Sequence, residues 1–200
     1  MTSTNLLSET DSAKRGHDAI DLYGHRGWSA RCHVWSLLED NVDYQRLSLS
    51  PTSLWDNEIW GAQAPSIDYV PFSFIDAAQA RELHSLMPAQ ALGDRQNNAP
   101  TLTFLLRACM DSEDTVYLSG YGIGPQRSDE RISIEALWTD HPALSKFTVL
   151  ASHVPACECQ QLWEAISAIF HLNALAAPDE VHRMNHPHDP EREGWWIWWD

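Results

Sequence analysis

Apolar and polar positions alternate most clearly over residues 115–138, where TVYLSGYGIGPQRSDERISIEALW reads as two strands joined by a polar turn. Val116, Leu118 and Ile123 lie on the first arm, and Ile132, Ile134 and Leu137 on the second. The linking GPQRSDER carries Gly, Pro, Ser and Asp, which favour chain reversal. This hairpin is the predicted centre of the fold.

Upstream, residues 32–38 alternate Cys32, Val34, Ser36 and Leu38 against His33, Trp35 and Leu37, which suits a strand; Ser29 offers a cap for a short helix as the alternative. Residues 42–49 alternate as well, so the two runs are predicted to pair across Glu39, Asp40 and Asn41. Ser50 and Pro51 open a predicted helix carrying Leu54, Trp55, Ile59 and Trp60 on one face and ending at Gly61. Residues 67–75 are apolar and extended, and Pro71 lacks a ladder donor, so they form an edge strand or a loop across the core.

Asp76 then opens a helix, with Gln79 completing a capping box and Ile75, Ala78, Leu83, Leu86 and Met87 on its inner stripe. Residues 89–100 are loop-like. TLTFLLRACM, residues 101–110, is apolar throughout, and periodicity leaves strand and helix open. A strand is predicted over 145–154 and a helix over 157–173, where Leu162, Trp163, Ile166, Ile169 and Phe170 recur at helical spacing. Pro178, Asp179 and Glu180 suggest one more helical turn. NHPHDPEREG is predicted to be a surface loop before the closing WWIWWD.

These elements predict an α+β fold: a mostly antiparallel sheet with two or three amphipathic helices packed on it. Residues 1–18 are expected to be a flexible N-terminal arm, and 19–200 a single domain. With 44% hydrophobic residues in 200, the chain can bury a core without disulfides. No apolar run is long enough for a bilayer span, so a cytoplasmic protein is expected. Its four cysteines are then expected to be reduced.

Charge narrows the functional classes. Thirteen Lys and Arg against 28 Asp and Glu give −15 at pH 7. Phosphate neutralisation needs clustered cations, so direct nucleic-acid binding is disfavoured, as is an anionic membrane. A basic protein partner is favoured, with fast, salt-sensitive association. Asp129 and Glu130, beside Arg127 and Arg131, are expected to form a solvated charge cluster at the hairpin turn and to contact that partner.

Ten tryptophans are a further signal. In a terminal strand, Trp195, Ile197 and Trp199 share one face, and Trp196 and Trp198 the other. The second pair is predicted either to be half covered or to present an aromatic patch to a partner.

Other spacings carry chemistry only in combination. His153, Cys157 and Cys159 stand as H-x3-C-x-C, and His182, His186 and His188 as H-x3-H-x-H. A zinc tetrahedron could draw on His153, Cys157, Cys159 and His186, although neither spacing is that of a familiar finger or H-E-x-x-H helix. Cys159 at a helix start could also be a low-pKa thiolate near His153. Gly120, Gly122 and Gly124 lie inside a strand pattern. They are expected to serve strand twist, a bulge or close approach of the C-terminal tryptophans, not phosphate binding.

The favoured expectation is a non-enzymatic, acidic protein-binding module without a cofactor, of inhibitor or immunity type, docking on a basic partner. The alternatives are a small zinc- or cysteine-dependent enzyme, and a structural subunit whose WWIWWD strand pairs with a neighbour.

Overall fold

The computed structural model describes residues 20–112, 114–150 and 157–200. The expected arm over 1–18 lies outside them. Short strands β1 (Ile20–Asp21) and β2 (Gly24–His25) pair with each other, as do β3 (Trp55–Asp56) and β4 (Ala64–Pro65). The main sheet has five strands, all antiparallel: β5 (Tyr69–Ile75), β6 (Val116–Ile123), β7 (Arg131–Thr139), β8 (Glu180–His186) and β9 (Asp189–Trp198). Their order is β5-β6-β7-β9-β8. The predicted hairpin is thus β6–β7, and the strand bearing Pro71 is an edge, where a missing N–H costs no ladder bond.

The helix count corrects the expectation. Seven α-helices occur among the described residues, where two or three were expected: α1 (Trp28–Arg31), α2 (Val34–Leu38), α3 (Tyr44–Leu47), α4 (Pro51–Leu54), α5 (Ala77–Leu86), α6 (Leu102–Asp111) and α7 (Cys159–Ile169). The excess comes largely from residues 28–54. The expected hairpin there is replaced by short helical turns, because Val34, Trp35 and Leu38 sink together into the core at i, i+1 and i+4. The helix expected to reach Trp60 stops after Leu54, and Trp55 begins β3 instead.

The longer helices follow local chemistry. Asp76 caps α5 through a 2.8 Å bond from the Gln79 amide, and Gln79 Oε1 returns the favour to the Asp76 amide at 3.1 Å. In α6 the residues Leu102, Leu105, Leu106 and Cys109 form one buried stripe, which decides the ambiguous run in favour of helix. In α7, Leu162 and Ile166 are buried, and Trp163 meets Trp199 edge-on at 5.6 Å between ring centroids.

Two further segments depart from expectation. Residues 145–150 form no strand, and the rest of that predicted strand, 151–154, lies outside the described residues. The expected helical turn and loop near residues 178–194 are instead a β-hairpin. Glu180 pairs with Trp198 and His182 with Trp196, so tertiary pairing overrides the prolines and polar composition.

The sheet has two different faces. The helix-covered face carries Val70, Phe72, Leu118, Ile134, Leu137, Trp195, Ile197 and Trp199 in one continuous core. The outer face holds a second, aromatic cluster. There Phe74 lies 5.2 Å from His186, although their strands β5 and β8 are the two sheet edges. Four strand spacings in a flat sheet span about 19 Å, so the sheet curls and the β8–β9 tip folds over this face.

Glycines permit these approaches. A Cβ on Gly120 would stand 1.9 Å from the Ser133 carbonyl oxygen, beside the bulge between Ser119 and Gly120. On Gly122 it would meet Trp35 at 2.3 Å, so the tryptophan that presses on this strand comes from α2 and not from the C-terminal run.

Candidate functional site

The acidic turn expected to meet a partner is already engaged within the chain. Asp129 accepts from Arg127 Nε at 2.7 Å and from Arg131 Nη1 at 2.8 Å, and the Arg127 bond leads the causes that hold its carboxyl below the usual range. Glu130 is 1% exposed, which corrects its assignment to a solvated cluster. Its Oε2 accepts from the Gly27 amide at 2.6 Å, and its Oε1 from the Ser29 amide at 2.8 Å and the Ser29 hydroxyl at 2.5 Å. Ser29 Oγ in turn accepts from the Trp35 indole at 2.7 Å. Burial raises the Glu130 pKa, opposed by the hydrogen bonds from Ser29 and Gly27. The physical reason for the inward turn is that α1 starts with orphan N–H groups that need an acceptor. Glu130 fastens α1 to the start of β7.

Of the expected metal ligands, Cys157, Cys159 and His186 lie among the described residues. Among the described residues, no group of three or more His, Cys, Asp or Glu could hold a metal ion. His153 lies outside the described residues. His186 is enclosed by Tyr117 at 4.5 Å, Trp138 at 5.1 Å and Phe74 at 5.2 Å. Its Nδ1 accepts from the His188 amide at 3.3 Å, and burial lowers its pKa, helped by Arg192 and His188. Cys157 Sγ accepts from the Leu150 amide at 3.4 Å. A hydrogen bond with Cys157 leads the causes that raise the Cys159 pKa, the direction opposite to that of an activated thiolate.

Trp196 and Trp198 remain half-buried on the outer face, as their strand parity predicted, while Trp195 and Trp199 are buried at 1% and 0% exposure. Trp196 stacks on Phe74 at 6.3 Å and 22°. Trp196 and Trp198 open onto a groove of about 430 Å³ that also takes in Arg46, Tyr69, Glu135, Glu180 and Asp200. Three carboxylates thus face one guanidinium. Of the three, none forms a salt bridge with another described residue. Burial raises the Glu135 pKa, and Asp200 adds to the rise. Arg46 and a hydrogen bond with Trp198 oppose it. The Arg46 guanidinium lies 5.9 Å from the centroid of the Tyr69 ring.

The sequence pattern contained one overlooked sign of this groove. In β7 the core positions run Ile132, Ile134, then Leu137, and the skipped parity marks the bulge at which Glu135 turns to the outer face. Glu180 gave no such signal, because it joins the groove only through the pairing of β8 with β9.

At Trp195–Trp198, β9 pairs with β7 on one side and β8 on the other, so this stretch has no free edge for a neighbouring chain. Comparison of the chain with family models, with curated proteins and with solved structures gives no match.

Proposed function

We propose that this chain is a non-enzymatic binding module that docks a basic protein through the outer face of its sheet. The observation that carries the proposal is the groove at Trp196 and Trp198, where Glu135, Glu180 and Asp200 outnumber Arg46. Carboxylates already ion-paired inside the chain, such as Asp129, lend little to a partner; these three are free of ion pairs among the described residues and stand beside aromatic surface. Half-buried tryptophans add apolar contact area with little side-chain entropy to lose, the composition found at interface centres. The net charge of −15 supports the same direction at longer range by steering cationic partners inward. An inhibitor or immunity-type role fits, since a carboxylate-lined surface can occupy a basic site built for phosphates.

The test is affinity capture from the source cell with the wild-type chain and with a Glu135→Gln, Glu180→Gln, Trp198→Ala variant of unchanged circular dichroism. A basic protein captured at low salt by the wild type, released by about 0.5 M salt and not captured by the variant supports the proposal. Equal capture by both proteins refutes it.

A further inference from the structure

We infer that the outer-face groove is a guanidinium site, into which the basic partner inserts an arginine side chain in place of Arg46. The inference rests on the proposed docking at this face and specifies its chemistry. The first observation is the wall composition. Tyr69, Trp196 and Trp198 supply aromatic surfaces, and Glu135 and Glu180 supply acceptors from two different strands. A flat, delocalised cation suits both at once: it stacks on an aromatic face and donates in plane to a carboxylate. A lysine ammonium is a compact, strongly hydrated charge that gains less from the rings.

The second observation is independent of the first. The chain already places a guanidinium of its own here. Arg46 stands over Tyr69 at 5.9 Å and lowers the Glu135 pKa by its charge. Yet it forms no salt bridge with a described carboxylate, and it is exposed on the four-residue helix α3. It thus screens the groove without occupying the acceptors. An incoming guanidinium that reaches Glu135 or Glu180 directly gains what Arg46 leaves unused, and Arg46 opposes its entry by like-charge repulsion. Arg46 is therefore a competitor built into the site, and its removal opens the groove to the partner.

The test is a titration followed through the indole Nε1–H resonances of Trp196 and Trp198, assigned by single Trp→Phe substitutions. The probes are the amides of N-acetyl-arginine, of N-acetyl-lysine and of N-acetyl-citrulline, the last being the uncharged near-isostere of the first. Both indole signals are expected to shift with the arginine probe at about tenfold lower concentration than with the citrulline probe, as loss of a charge-assisted bond implies. The lysine probe is expected to fall between them. Glu135→Gln should weaken the arginine probe about tenfold, and Arg46→Ala should strengthen it about threefold, the size of a screened pair at a surface. Equal response to arginine and citrulline, or shifts confined to other residues, overturns the inference. Weaker arginine binding in Arg46→Ala overturns the competitor role.

The two proposals fail separately. A partner captured in a face-dependent manner with no arginine preference sinks the guanidinium site and leaves the docking face standing. An arginine-selective groove with no partner that depends on it sinks the docking proposal.

Discussion

Glu130 and Glu135 lie five residues apart, on either side of the start of β7, and they meet opposite fates. Glu130 turns inward, where two backbone amides and a serine hydroxyl converge on it. Glu135 turns outward at a bulge, into a groove shared with two other carboxylates and one guanidinium. Burial raises both pKa values, yet only Glu130 has its acceptor capacity taken up by several chain donors. A carboxylate's role is therefore set by whether the fold supplies donors, and not by its place in an acidic run. The same contrast divides the C-terminal tryptophans: Trp195 and Trp199 belong to the core between sheet and helices, and Trp196 and Trp198 face the groove.

The largest expected effect concerns the inward glutamate. Glu130→Ala leaves the Gly27 and Ser29 amides without their acceptor in a buried place, and a loss of about 3 kcal/mol in urea unfolding is expected. Glu135→Gln, by contrast, should change stability by less than about 1 kcal/mol, because the half-buried side chain has a single hydrogen bond, from Trp198, which a glutamine oxygen can still accept. If the two substitutions cost the same, the distinction between the glutamates does not hold.

Much of this contrast could not be read along the chain. The β6–β7 hairpin, the edge strand with Pro71, the Asp76 capping box and the α7 stripe were legible, because each depends on short-range spacing. The short helices over residues 28–54 were not. There an alternation that resembled a strand is carried by Val34, Trp35 and Leu38, whose burial is decided by distant partners. Glu130 was misplaced for the same reason: its donors, Gly27 and Ser29, lie about a hundred positions away in sequence. In the groove, the outward pair Trp196 and Trp198 followed from strand parity. Glu180 could not, since its hairpin is hidden behind prolines and polar residues.

A smaller effect is expected from pH at the aromatic end of the outer face. His186 is 6% exposed and has a lowered pKa. It is faced by Arg192 and His188, which disfavour its charge, and by Asp189 and Asp140, which favour it. A base whose folded pKa is depressed binds fewer protons folded than unfolded. Its contribution to stability is therefore lost as pH falls below the ordinary histidine value of 6.5. Unfolding of the wild type should ease across that acidic window, and His186→Leu should remove that part of the slope. An unchanged slope in the variant assigns the effect elsewhere.

The smallest expected effect has the opposite sign. Folded Glu135 has a raised pKa, so its ionisation lowers stability as pH rises from the ordinary glutamate value of 4.5 through the folded value. Glu135→Gln should flatten that decline slightly in parallel urea titrations. Cation binding in the groove should run the other way and strengthen over the same rise in pH, because only the ionised carboxylate attracts it.

The most direct measurement is the salt dependence of association between the chain and its captured basic partner, taken side by side for the wild type and Glu135→Gln, Glu180→Gln. If the unpaired outer-face carboxylates bind the partner, the variant binds more weakly at low salt and its affinity declines less steeply as salt is added. Superimposable curves from the two proteins would contradict the account.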